Sequence, residues 1–313
     1  MLGEGNIMGD KNGTLEYACK TEHKYPYLLN KDGSWATREG VRNVFIMQSG
    51  NDTGKVQQNE WMTADGARKT IGPELGIGNF LADYTDTTDN KHVMLLKSCI
   101  GDRALGWDLL PPGSSGFDFD VTEKNGSKVT YTYAGYHQSP MKWIKGTQPK
   151  PIGWEAGVQW DGDTASAAAV LKNLSTFYPG ANKYRVAGFF WWQGDKDSRD
   201  MGLSTHYEIN LVNFIKTLRK TFDAPDAPFV TASLGQTVKG ATDGGGLILD
   251  AMLNVDGKSG KYPEFKGNVA AVYTHPLSMG SSSGAHYGKN AETYMNVGHA
   301  MGSAMATLLK GTD

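Results

Sequence analysis

Short apolar runs of β type alternate with helix-like stretches along most of this 313-residue chain, and that alternation is the strongest constraint on its fold. Val41 to Met47 reads as a strand. Glu74 to Tyr84 reads as a helix entered through Gly72-Pro73, because proline is tolerated where a helix begins. His92 to Cys99 is an apolar run of buried-strand type, and Lys128 to Tyr133 is a Val/Thr/Tyr strand after the hairpin dipeptide Asn125-Gly126. Thr164 to Tyr178 is Ala- and Leu-rich and stops at Pro179-Gly180. Val186 to Trp192 is a further buried strand. In the helix that follows, Thr205 to Phe222, the residues Ile209, Val212, Ile215 and Leu218 recur at helical spacing. Phe229 to Leu234, a helix over Leu247 to Leu253, Val269 to Tyr273 and a closing helix over Asn290 to Leu309 continue the pattern.

Strand, helix, strand, helix is the signature of a parallel sheet covered on both faces, an α/β class fold. Ligands of such sheets bind beyond the carboxyl ends of the strands. No linker divides the chain, so residues 1–313 read as one domain. Leu109 to Trp160 reads as a Gly/Pro-rich insertion with a hairpin, whose Trp143, Trp154 and Trp160 are placed to roof a cleft.

Composition removes several functional classes. The formal net charge is −2 and no basic run occurs, which argues against a nucleic-acid or anionic-membrane partner. The longest apolar runs are far too short to span a bilayer. The amino terminus lacks the basic, apolar and small-residue order of a secretory signal. Yet the chain opens inside what reads as a strand end, so a secreted or periplasmic protein with a trimmed signal and a cytoplasmic protein both stay open. Cys19 and Cys99 are too few for a disulfide scaffold or a metal cluster, and they read as two small buried residues. No cofactor or metal is expected: Asp195, Asp197 and Asp200 are close in sequence but lack the later bidentate Glu of a calcium loop. Oligomeric state is not legible.

Three segments carry the chemistry: Gly3-Glu4-Gly5-Asn6-Ile7-Met8-Gly9, then Trp191-Trp192-Gln193-Gly194-Asp195, then His286 ahead of the last helix. In that order they resemble the sialate O-acetylesterase-like branch (carbohydrate esterase family 6-like) of the SGNH hydrolases, whose first block reads Gly-Gln-Ser-Asn-Met-x-Gly. Further stretches are similar to one subgroup of that branch: Gly13-Thr14-Leu15-Glu16-Tyr17, Ile71-Gly72-Pro73-Glu74-Leu75-Gly76, Lys97-Ser98-Cys99-Ile100-Gly101, Gly106 to Gly113 and Asn290-Ala291-Glu292-Thr293-Tyr294. The resemblance implies a three-layer α/β/α, flavodoxin-like fold with its site on top of the sheet.

In working relatives a Ser attacks an acyl carbonyl, a His takes its proton and an acid orients that His. Carried onto this chain, the nucleophile position is Gly5, a vacant one. The oxyanion donors are the backbones of Gly5 and Gly101 and the side chain of Gln193, and the base is His286. The acid three residues before that His is replaced by Ser283, which leaves Asp195 as the nearby carboxylate. Glu4, beside the vacant position, is a candidate base for water. Ser49 lies in Met47-Gln48-Ser49-Gly50-Asn51, an imitation of the first block, and reads as a second loop. Asp102-Arg103 after Gly101 is a charged pair suited to narrowing a pocket or meeting a polar substrate. Two readings follow: an esterase acting on acetylated carbohydrate with a degenerate triad, or a non-hydrolytic protein that binds a carbohydrate or another small acylated ligand.

Overall fold

The computed structural model describes residues 2–86, 92–280 and 283–311. In chain order the elements are β1 (Gly5–Asn6), α1 (Leu15–Lys20), β2 (Thr37–Met47), β3 (Lys55–Thr63), β4 (Thr70–Ile71), α2 (Glu74–Asp86) and β5 (Val93–Ser98). Then come β6 (Phe117–Thr122), β7 (Lys128–Tyr133), β8 (Lys142–Ile144), α3 (Val158–Lys172), α4 (Leu174–Phe177) and β9 (Phe189–Trp191). The chain finishes with α5 (Met201–Thr221), β10 (Phe229–Ala232), α6 (Gly244–Val255), β11 (Val269–Val272) and α7 (Ala291–Lys310).

The alternation becomes a three-layer α/β/α arrangement. Side chains alternate across a strand, so each parallel strand feeds two cores. From β10, Val230 and Ala232 pack with Trp192, Tyr294, Met295 and Met301 on the α7 side. Phe229 faces the opposite way, into Leu211, Phe214, Ile248 and Met252 of α5 and α6. In β5, Val93 and Leu95 point toward the first core, while Met94 and Leu96 join Val44, Ile46 and Val170 beneath α3.

The parallel strands form two blocks rather than one continuous ladder. One has the order β3-β2-β5 and the other β11-β10-β9. Within them β2 pairs β5, β10 pairs β11 and β10 pairs β9, all parallel. A shared helical layer joins the blocks: α2 lies against β2 and β5, α7 against β10 and β11, and the two helices pack on each other. Close approach makes that seam, since a Cβ on Gly76 would meet the Met295 carbonyl oxygen at 2.8 Å.

Among the elements that differ from the sequence reading, three do so for evident local reasons. Strand β2 starts four residues early and changes register between Arg38 and Arg42, around Gly40 at φ 94°, a bulge that glycine makes cheap. Helix α3 begins at Val158 behind left-handed Gly157 and yields at Asn173, whose side-chain amide donates to the Ala169 carbonyl. The 109–160 stretch holds the antiparallel sheet β6-β7-β8, and its end already belongs to α3. There Trp160 is buried and meets Phe214 edge-on at 5.2 Å, so it is a core residue and does not roof a cleft.

Candidate functional site

The loops beyond the carboxyl ends of β5 and β9 carry most of the residues singled out in the sequence. Gly101 is exposed, and a Cβ there would meet nothing within 4 Å. Asp102 follows in a left-handed conformation at φ 56°, paired with Lys196 at 2.8 Å and Arg199 at 3.5 Å. Asp195 pairs with Arg199 as well, so an exposed network of charge spans the two loops. Arg103 turns inward instead. Its guanidinium donates to Gln159 Oε1 at 3.2 Å and Ser49 Oγ at 3.0 Å and lies 4.9 Å over the Trp154 ring. Trp154 is thus a platform for Arg103, and Ser49 sits in a second loop held by an arginine.

Gln193 is fixed at every polar atom. Its amide donates to the Arg103 carbonyl at 2.8 Å and to Asp197 Oδ2 at 2.6 Å, while Oε1 accepts from Tyr207 Oη at 3.1 Å. An amide has two hydrogens, and both are engaged. The side chain is therefore a strut between loops in this arrangement, and its hydrogens point away from an oxyanion role.

The third contribution comes from the turn Ser283–Lys289 before α7. His286, Tyr287, Gly288 and Lys289 have φ of 48°, 56°, 61° and 58°, a left-handed run. Each non-glycine residue there carries roughly 1–2 kcal/mol of strain. Packing holds the run in place. Tyr287 is buried, stacks on Trp192 at 5.7 Å and accepts from the Gly235 N–H at 3.3 Å. Asn290 caps α7 through the Thr293 N–H at 2.9 Å. Since Tyr287 follows His286 and Trp192 precedes Gln193, this stack brings the two sequence blocks side by side.

Glu4 is the carboxylate drawn up to the His286 ring, with Oε1 3.9 Å from Nε2 and both side chains partly exposed. The amino-terminal segment that carries Glu4 is anchored by Lys97, which donates to the Leu2 carbonyl at 2.7 Å, and by Arg68, which reaches the Gly3 carbonyl at 3.1 Å. Gly5 itself is buried and pairs with Ile71 in an antiparallel bridge. A Cβ on Gly5 would lie 2.8 Å from Tyr294 Cδ2, 2.9 Å from Ala291 Cα and 3.0 Å from Ile71 Cγ1. The position demands glycine because α7 comes so close, and a side chain built there would enter α7 rather than a cleft. The Ser283 side chain lies outside the described residues.

The three neighbouring aspartates have separate duties. Asp195 pairs with Arg199, Asp200 caps α5 and pairs with Lys142 at 2.6 Å, and Asp197 accepts buried N–H groups. The sequence reads Asp197 as a polar loop residue, and its burial escaped that reading: in a run of Asp, Lys, Ser and Arg nothing marks it as fully buried. Burial pushes its carboxyl up to about 6, against the lowering effect of the Gln193 amide and of the Gly106 and Leu105 N–H groups. Asp163 on α3, partly buried and hydrogen-bonded by Ser98 Oγ at 2.6 Å, is likewise raised to about 6 by desolvation. A groove of about 430 Å³ lies between the loop after β2 and helix α3, lined in part by Gln48, Asn51, Ser166 and Phe177. It does not include Gly5, Gly101, Gln193 or His286.

Layering and loop placement define a three-layer α/β protein with its polar loops gathered beyond the parallel strand ends. Residues 152–307 match the family described as carbohydrate esterase, sialic acid-specific acetylesterase, which makes the chain a carbohydrate acetylesterase-like protein of the sialate O-acetylesterase-like kind. The match includes Gln193, Asp197 and His286. The chain is also similar to an Arabidopsis thaliana protein of known X-ray structure, at 13% identity and TM-score 0.48, covering 97% of this chain and 92% of that one. A carbohydrate acetylesterase from Xanthomonas citri aligns at 14% identity and TM-score 0.44, covering 87% of this chain and 50% of that one. Comparison with curated proteins returns no match. Among the described residues no helix is long and apolar enough to cross a membrane.

Proposed function

We propose that the chain recognises acylated carbohydrate at the loops after β5 and β9 and that its triad is degenerate, with Gly5 unable to supply a nucleophile. The observation that carries this reading is the family match through the Gln193 and His286 segments, combined with the direction of the Gly5 Cβ into α7. Recognition of the carbohydrate then outlasts hydrolysis. Any residual hydrolysis runs through water: its oxygen attacks the acyl carbonyl while its proton passes to the His286–Glu4 pair, and as the acyl C–O bond to the sugar breaks, the pair returns that proton to the departing sugar oxygen, which leaves as the alcohol. The 3.9 Å approach of Glu4 to His286 favours that route over one through Asp195.

The test compares wild type with His286→Ala and Glu4→Gln on acetylated xylan and p-nitrophenyl acetate, with binding to acetylated xylan measured in parallel. Binding with slow hydrolysis, further reduced in both variants, is the expected outcome. Rapid wild-type hydrolysis through a covalent acyl-enzyme would overturn the degenerate-site reading. Absence of both binding and hydrolysis would overturn the carbohydrate reading.

A further inference from the structure

Among the described residues, two buried carboxylates collect the backbone N–H groups of the loop that follows β5. Ala104 N–H donates to Asp108 Oδ2 at 2.7 Å, Leu105 N–H to Asp197 Oδ2 at 2.9 Å and Gly106 N–H to Asp197 Oδ1 at 2.8 Å. Asp108 belongs to the same loop, whereas Asp197 comes from the loop after β9. It stands fully buried at the entrance to α5, where Ser204 Oγ donates to its carbonyl at 2.9 Å. A Cβ on Gly106 would meet Leu203 Cδ2 at 2.9 Å, so any side chain there has to displace Leu203. With the Gln193 amide, Asp197 accepts three hydrogen bonds from two different loops.

We propose that Asp197 is a positioning residue, which locks the Gly101–Gly106 loop against the Gln193–Asp195 loop and thereby sets the geometry of the carbohydrate site. This inference rests on the placement of that site given above. At pH 7 the carboxylate offers acceptors alone, where Asn would turn an amide donor toward Leu105, Gly106 or Gln193. Gln193 is the second half of the lock, tied by Asp197 and Tyr207 and in turn holding the Arg103 carbonyl. The first loop displays Gly101 and Asp102 to solvent, and the second displays Asp195. Releasing Asp197 removes the buried tie between the loops and leaves the exposed pairs of Asp102 and the Gln193–Arg103 bond, while the strands beneath keep their own ladders.

Amide hydrogen exchange at pH 7 reads the lock directly. In wild type the Leu105 and Gly106 amides exchange as slowly as those within α5; exchange at the rate of the hairpin-turn residue Gly126 would overturn the proposal without any variant. In Asp197→Asn these two amides are expected to exchange at least tenfold faster, with α7 amides unchanged. A uniform acceleration of all amides, or none, would refute a local lock. Affinity for acetylated xylan is measured on the same two proteins. A tenfold or greater loss in Asp197→Asn with α7 protection intact supports positioning, and unchanged affinity refutes it. Should wild type bind no acetylated xylan, the carbohydrate reading of the site fails and this positioning role falls with it, while the exchange data still decide whether the two loops are locked.

Discussion

Replacing Gly5 with Ser puts the carried-over nucleophile position to a direct test. If Gly5 faced an open cleft, serine would restore the family hydroxyl beside His286. The structure predicts a different result. The new Cβ would stand 2.9 Å from Ala291 Cα and 2.8 Å from the Tyr294 ring, with Ile71 at 3.0 Å. Carbon contacts below 3 Å are repulsive, and the nearest backbone atom belongs to the first turn of α7, which is buried against α2. Tyr294 has little room to give way, since it is fully buried and packs on Trp192 and Tyr287. Overpacking of this kind costs about 1–3 kcal/mol. In a chain of 313 residues that lowers the melting temperature by roughly 1.5–5 °C. Thermal melts followed by circular dichroism, with Gly5→Ala as control, measure the clash. Both variants should melt lower by similar amounts, because the methyl and hydroxymethyl groups share the offending Cβ. Hydrolysis of p-nitrophenyl acetate should not rise in Gly5→Ser. An unshifted melt together with new hydrolysis, abolished by His286→Ala, would refute the steric reasoning and restore Gly5 as a vacant nucleophile position.

Other substitutions test the surrounding framework. Asp197→Ala leaves the Leu105, Gly106 and Gln193 donors without their acceptor and should cost about 3 kcal/mol or more in urea unfolding; a loss below about 1 kcal/mol would contradict the burial of that network. The carboxyl of Asp197 sits at about 6 in the folded protein against 3.8 when unperturbed, so its stabilising proton is fully present below about pH 4 and is lost as pH rises through 6. The deficit of Asp197→Asn relative to wild type should therefore shrink between pH 4.5 and 7.5, read as the difference in melting temperature. A deficit that grows with pH would refute the raised value. Trp160→Ala should cost about 3–5 kcal/mol in the same unfolding assay, whereas unchanged stability with lost carbohydrate binding would return that indole to the cleft.

Sequence alone determined the elements whose local chemistry is self-sufficient. Apolar spacing located α5, the Gly72-Pro73 entry located α2, and largely apolar runs located β2, β5, β10 and β11, because burial on two faces leaves a composition that needs no partner to be recognised. The order of blocks around Gln193 and His286 likewise pointed to the carbohydrate esterase family that the match supports. Tertiary structure decided what the same residues face. Gly5 is read in one dimension as a tight turn or an empty site, but its fate depends on Ala291, whose Cα lies 2.9 Å from its hypothetical Cβ after nearly the whole chain has folded back. Asp197 looks like one more polar loop residue until the loop after β5 aims two N–H groups at it. Trp160 and Trp154 have similar surroundings in sequence, yet one packs on Phe214 and the other carries Arg103. The physical reason is common to all three. Secondary structure follows from neighbours along the chain, whereas steric room, desolvation and hydrogen-bond partnership are set by atoms that are distant in sequence and meet only in the folded protein.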